Sequence, residues 1–276
     1  MPDAQTDTAK PRGWFRRLLA LPNEDPRKVV TIALALCLVC SVAVSATAVL
    51  LRPLQEHNEK LAIKREILKV AGLYRPDAKV EDLFRQVEVR VVDLATGDYA
   101  RGIDPETFDP RRAARDPDTS VQVAPGQDIA SIKRRARFAP VYLVRDKGGI
   151  QLVILPVHGY GLWSTMYGLL ALQGDGRTIA GLSFYEHAET AGLGSEITNA
   201  RWLEQWQGKL AVDAQGVPVI RVARGAVDRA SSEAGYQVDG LSGATLTGNG
   251  VTNLMHYWLG AQGFAPYLDR IRRREG

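Results

Sequence analysis

The sequence predicts an α+β protein: a single N-terminal transmembrane helix followed by a mostly antiparallel sheet. Three observations lead there. Residues 29–51 carry no charged side chain. Strand-like runs separated by short Gly- and Asp-containing turns recur between residues 87 and 185, and short turns join antiparallel neighbours. Helical patterns are interspersed among these strands. Composition agrees: 276 residues, 45% hydrophobic and 24% charged, make an ordinary globular chain with room for one or two domains. Disorder, collagen and disulfide-scaffold classes are excluded, since two cysteines cannot build a framework. A net charge of +4 permits anionic partners but is too mild to signal nucleic acid. The slightly negative mean hydropathy excludes a polytopic membrane protein and leaves room for one span.

The 23 residues from Val29 to Leu51 reach roughly 34 Å as a helix, enough for a hydrocarbon core of about 30 Å. A long core helix and a cleaved signal peptide are the competing readings. Ala46-Thr47-Ala48 has the small-x-small pattern of a cleavage site, but the apolar run exceeds a signal h-region of about 7–15 residues. Leu36 and Val39 are too large for a lipoprotein site. Lys10, Arg12, Arg16, Arg17, Arg27 and Lys28 precede the span; Arg52, Lys60, Lys64, Arg65 and Lys69 follow it. The positive-inside rule then places the N-terminus in the cytoplasm. The expected domains are a cytoplasmic segment at 1–28, the span at 29–51 and an external domain at 52–276. Cys37 and Cys40 stand three apart within the span; small apolar packing is the favoured reading over a redox pair.

After Pro53, residues 54–70 read as an amphipathic helix continuing out of the membrane, ended by Gly72. Residues 87–94 alternate as a strand. Residues 101–136, with Asp104-Pro105, Asp109-Pro110 and Asp116-Pro117, read as a long irregular insertion. Residues 142–145 and 150–157 form one hairpin around Lys147-Gly148-Gly149; residues 169–172 and 179–185 form a second. Residues 201–210 read as a helix with Trp202 and Trp206 on one face. Residues 219–222 form a short strand behind Pro218, and residues 249–259 a helix with Leu254, Tyr257 and Trp258 supplying apolar contacts.

Three segments can carry chemistry. In His158-Gly159-Tyr160-Gly161-Leu162-Trp163-Ser164, glycines flank an aromatic and allow close backbone approach; a tight turn with a core tryptophan is the favoured reading of these residues alone. Glu186 to Ser195 places a polar cluster before Gly192-Leu193-Gly194, offering amides and hydroxyls to an anion or a flavin edge. With no third glycine and no βαβ context, it is not a dinucleotide fingerprint. His187-x-Glu189 lacks the downstream C-x-x-C of zinc deaminases, and His57, His158 and His256 show no metal spacing. Common nucleophilic-hydrolase signatures are absent. The third segment runs from Asp239 to Thr247, with small residues, recurring hydroxyls and a helix directly behind. A helix N-terminus is a ready phosphate site; a Ser/Thr capping turn is an equal reading of the same residues.

Asp239-x-x-Ser242-Gly243-Ala244-Thr245 resembles the flavinylation motif of the FMN-binding domain family, and the segments at 158–164 and 186–195 are similar to that family's in the same order. From the span to the helix at 249–259, the chain resembles the C-subunit family of sodium-translocating NADH:quinone reductases. The G subunits of Rnf complexes share the layout and are the alternative, with a non-redox membrane-anchored assembly module behind them. Ala191 stands where the resembled family often has proline, and alanine can adopt the same φ.

The resemblance implies covalent FMN on Thr245 through a phosphoester. Ser242, Gly243 and Ala244 would shape the turn read by a flavin transferase, with Asp239 part of that recognition. Thr190 and Leu193 would contact the flavin, Gly192 and Gly194 would allow close approach, and Trp163 would wall the ring. No catalytic acid or base and no metal is expected of such an electron carrier. It also implies the bacterial inner membrane, a periplasmic C-terminal domain, lipid contact, and partner subunits of a complex that oxidises NADH, reduces quinone and pumps Na+.

Overall fold

The computed structural model describes Gly13 and residues 20–275. Most of the expected cytoplasmic segment, including Lys10, Arg12, Arg16 and Arg17, lies outside the described residues. The described residues divide into two compact units between Glu59 and Lys60.

Helix α1 (Pro26–Val70) contains the expected span. It is long and apolar enough to cross a membrane, and its most apolar stretch is not buried in the protein's own core. This fits single-pass anchoring. The Asp25 carboxylate accepts from the Arg27 amide at the helix start (2.8 Å). The Thr31 and Thr47 hydroxyls donate back to the Arg27 and Ala43 carbonyls at 2.7 and 2.8 Å, so neither hydroxyl donor is left unmet along the helix. Pro53 sits inside the helix and does not end it. Both cysteines are exposed on it.

In the second unit the last turns of α1 bury Ile67 and Leu68. The helix stops where Gly72 turns to φ +69° and the Leu73 amide donates to the Leu68 carbonyl (2.8 Å), a helix-ending closure that needs a left-handed residue. Helix α2 (Val80–Phe84) leads into β1 (Val87–Asp93). Then come α3 (Pro110–Arg115), β2 (Ser120–Gln122), β3 (Arg134–Ala136), β4 (Phe138–Asp146), β5 (Gly149–Tyr160), β6 (Thr165–Gln173) and β7 (Ile179–Glu186). The main sheet has the order β1-β4-β5-β6-β7, and all its pairings are antiparallel. The C-terminal part holds α4 (Ala200–Glu204), β8 (Arg221–Val222), β9 (Gln237–Val238), α5 (Thr245–Leu259) and α6 (Ala265–Glu275).

The sheet is covered on both faces. Val141, Leu143, Val153, Leu155, Leu170 and Leu172 pack with Leu254, Met255 and Trp258 of α5 and with Leu268 and Ile271 of α6. Ile154, Leu169, Ala171 and Val144 face the other way, onto Ile67 and Leu68 of α1 and Leu83 and Phe84 of α2. Two-sided burial explains why residues 150–157 read as a near-continuous apolar run instead of an alternating one.

Several expectations are corrected. Residues 101–136 are not wholly irregular: α3 and the β2–β3 ribbon lie within them, the Asp109 carboxylate capping α3 through the Arg111 and Arg112 amides. The strands expected at 142–145, 150–157 and 169–172 are longer, because β5 and β6 continue pairing as far as Tyr160 and Thr165. Pro140 is accommodated in β4 opposite Val91, beyond the stretch of β4 that pairs with β5. The helix expected at 201–210 is only the five-residue α4; the chain turns so that Leu210 bridges Thr178. Trp202 and Trp206 nonetheless stay buried, ring centroids 5.5 Å apart. The strand expected at 219–222 begins only at Arg221 and pairs in parallel with β9. Helix α5 begins four residues before the expected 249, and α6 adds a helix that the sequence pattern does not announce.

Candidate functional site

The β5–β6 hairpin, the loop after β7 and the N-terminus of α5 meet at one place. The connecting turn at 161–164 projects from the sheet because β5 and β6 stay in register up to Tyr160 and Thr165. The Glu189 carboxylate ties the three segments together. It is only 7% exposed. The Leu162 and Trp163 amides donate to its Oε1 at 3.1 and 3.0 Å, and the Thr247 hydroxyl donates to its Oε2 at 2.5 Å. Burial pushes its pKa up, but the bonds from Thr247, Trp163 and Leu162 outweigh that and hold it below the ordinary carboxylate value.

Gly161 and Gly194 make room for this carboxylate. A Cβ on Gly161 would lie 2.5 Å from Glu189 Oε1, and one on Gly194 would lie 2.7 Å from Thr247 Oγ1 and 2.9 Å from Glu189 Oε2. Neither position tolerates a side chain without displacing the carboxylate or the helix.

Trp163 is not the core residue of a tight turn: it is 63% exposed, and its indole N–H donates to Thr190 Oγ1 (3.0 Å). The Ala188 amide donates to Ser164 Oγ (2.7 Å), a second tie between turn and loop. The Thr190 carbonyl accepts from the Leu193 and Ser195 amides, folding the loop around exposed Gly192. Leu193 projects outward, its Cδ2 2.9 Å from where a Cβ on Gly243 would lie.

Helix α5 starts at Thr245, with Ala244 at the capping position. Alanine has no side-chain acceptor, and the first turn contains no acidic residue. The amides of that turn therefore keep their donor capacity and their positive end of the helix dipole. Thr245 is exposed, as are Ser242 and Gly243, whereas Ala244 is buried. Leu162, Trp163, Leu193 and Leu246 are all exposed apolar side chains on these converging segments.

Asp239 is used differently. Its carboxylate accepts from the Val227 amide (2.7 Å), its carbonyl accepts from the Trp202 indole (2.8 Å), and its amide donates to Gln205 (3.1 Å). It braces the start of the turn. His158 is likewise structural. It stacks on Tyr167 at 5.4 Å, and its carbonyl accepts from the Trp258 indole. Burial and the charge of Arg111 push its pKa down to about 4, so it is a neutral, half-buried histidine at physiological pH.

The structure brings Trp163, Thr190, Gly192, Leu193, Gly194, Ser242, Gly243, Ala244 and Thr245 into neighbouring segments, with Asp239 behind them. Sequence reasoning missed Glu189, Thr247, Leu162 and Leu246. An acid inside a Gly-rich loop was the available signal for Glu189; the others depend on which segments meet.

This arrangement suits a flavin nucleotide. The exposed Thr245 hydroxyl stands at a helix start whose amides lack a side-chain cap, as a phosphate requires. The neighbouring exposed apolar side chains offer a flat ring a contact surface.

Residues 161–260 match the family model described as FMN-binding domain. The chain is 47% identical to the C-subunit of the Na(+)-translocating NADH-quinone reductase of Pseudomonas aeruginosa, covering 92% of this chain and 98% of that one. It is 42% identical to the corresponding C-subunit from Vibrio alginolyticus, over 93% and 99%. The crystal structure of Shewanella oneidensis NqrC superposes with a TM-score of 0.70 at 36% identity, covering 76% of this chain and 96% of that one. The fold, the converging segments and these full-length likenesses agree: the chain belongs to the NqrC family, the C-subunits of Na(+)-translocating NADH-quinone reductases, and carries an FMN-binding domain.

Proposed function

We propose that this protein is a membrane-anchored electron carrier with FMN attached covalently to Thr245 through a phosphoester. One observation carries the reading: the exposed hydroxyl of Thr245 stands at the uncapped start of α5, beside exposed Leu162, Trp163, Leu193 and Leu246. FMN supplies reversible electron acceptance when bound. Thr245 holds its phosphate, and the amides of the first helical turn neutralise the charge. Leu162, Trp163, Leu193 and Leu246 exclude water from the ring. The Thr190 hydroxyl accepts from the Trp163 indole and, with Leu193, contacts the flavin. Ser242, Gly243 and Ala244 shape the turn that a flavin transferase reads, and Asp239 braces that turn and is part of the recognition.

Covalent attachment removes the need for a deep closed pocket, so a ring edge stays open to partner carriers. The partners are the other subunits of an NADH:quinone reductase that translocates Na+, as the relatives' names state of those complexes. Residues 1–28 face the cytoplasm, 29–51 cross the bacterial inner membrane in contact with lipid, and 52–276 form the periplasmic domain. External protease applied to spheroplasts is expected to digest that domain; protection overturns the orientation.

The functional test is the intact mass of the denatured protein from its native host. An added mass of FMN less water, lost in Thr245→Ala, is expected. No added mass in a host that flavinylates proteins overturns the electron-carrier reading.

A further inference from the structure

We infer that Glu189 is an electrostatic positioning residue: its buried negative charge, held between the Trp163 turn and the first turn of α5, lowers the reduction potential of the group at Thr245. The inference rests on the flavin reading above. Helix α5 brings no acid of its own to its first turn and no capping side chain. The only carboxylate hydrogen-bonded to that turn among the described residues comes from a different segment, through Thr247. Its charge is locked in place: Oε1 is held by two amides of one loop and Oε2 by a hydroxyl of the helix. Gly161 and Gly194 close over it with no room for a side chain. On its own loop, the one titratable neighbour hydrogen-bonded to it is His187, whose Nδ1 accepts from the Glu189 amide at 3.3 Å.

A charge so fixed cannot swing out to water, so its field is screened less than that of a mobile surface acid. Adding electrons to a ring beside a fixed negative charge is disfavoured. A unit charge about 10 Å away, at an effective dielectric of about 20, shifts such an equilibrium roughly tenfold. A neutral cap would not do this; neither would a surface acid, screened by solvent.

The test uses the full chain from a flavinylating host, with two readouts, flavin mass and midpoint potential. Glu189→Gln keeps shape and removes charge; its reduction equilibrium constant should rise about tenfold, with flavin still attached. Glu189→Asp should stay closer to wild type. Thr247→Val keeps the charge but removes its strongest donor, so its equilibrium constant should fall. A merely structural role predicts no such opposite shifts. If Glu189→Gln does not accumulate, Thr247→Val decides alone. An attached flavin with an unshifted potential in the decisive variant overturns this inference only. A wild-type chain without flavin mass overturns the site reading and this inference with it.

Discussion

Gly194→Ala places a methyl carbon 2.7 Å from Thr247 Oγ1 and 2.9 Å from both Cβ and Oε2 of Glu189. None of these atoms can retreat cheaply. Glu189 is held by three donors from two segments, and Thr247 is buried on the first turn of α5. The variant must push the loop off the helix or break the carboxylate's bonds. Overpacking of this kind costs about 1–3 kcal/mol. For a domain of about 200 residues, about 2 kcal/mol corresponds to a fall in melting temperature of roughly 4–8 °C. The control is Gly225→Ala, where an added Cβ meets nothing within 4 Å; it should change stability by less than about 0.5 kcal/mol. Thr247→Ala alone strips a donor from a buried carboxylate and costs about 1–3 kcal/mol. Combined with Gly194→Ala it also removes the closest clash, so the pair should cost less than the sum of the singles. Thermal unfolding of the full chain in detergent, followed by tryptophan fluorescence, measures all four. A Gly194→Ala chain as stable as Gly225→Ala would falsify this account of the site, and strict additivity with Thr247→Ala would remove the contact between loop and helix.

Further predictions concern pH and packing. The pKa of Glu189 lies below its unfolded value of about 4.5, so its stabilisation is present above that value and is lost as pH falls through the lower folded one. Acid titration of stability should therefore be flatter in Glu189→Gln than in wild type below about pH 4.5, and parallel curves would contradict the assignment. His158 has a folded pKa near 4 against an ordinary 6.5; stability is full above 6.5 and declines as pH falls towards 4. That histidine accounts for at most about 3 kcal/mol, and His158→Phe, which leaves the carbonyl bond to Trp258 in place, should abolish its share. Trp206→Ala deletes a fully buried ring and should cost about 3–5 kcal/mol in denaturant melts. Trp163→Ala, at an exposed ring, should cost less than about 1 kcal/mol yet alter the absorption of the attached flavin; an unaltered spectrum would separate Trp163 from the ring.

Local signals made much of this molecule legible. The uncharged run at 29–51 implied a helix fit to cross a membrane because lipid admits few other backbones. Glycine-containing turns marked the sheet's hairpins, and Gly72 marked the end of α1. Thr245 stood out because Asp239-x-x-Ser242-Gly243-Ala244-Thr245 resembles a flavinylation motif; small residues, hydroxyls and a helix start alone left a capping turn equally open. Less legible were elements whose stability comes from outside themselves. Helix α6 shows its apolar stripe only through Tyr267, Leu268 and Ile271 packed in the core, and the charged residues around them hide it. The insertion at 101–136 looked irregular because its prolines and aspartates are breakers in isolation; Asp109 in fact caps α3. The expected helix at 201–210 had the right buried tryptophans but the wrong length, since pairing near Leu210 outweighed helical propensity.

The apolar span and the class of the sheet were readable along the chain because each depends on neighbours a few residues away, and the candidate attachment threonine was readable through its resemblance to a short motif. Folding in three dimensions was needed to bring residues 161–164, 187–195 and 244–247 to one site, to turn Trp163 outward and to join Glu189 to both. A buried carboxylate is stable only where its donors converge, and those donors lie 26, 27 and 58 positions away along the chain. No local pattern records which distant amides and hydroxyls will meet it; the packing of α5 against the sheet does.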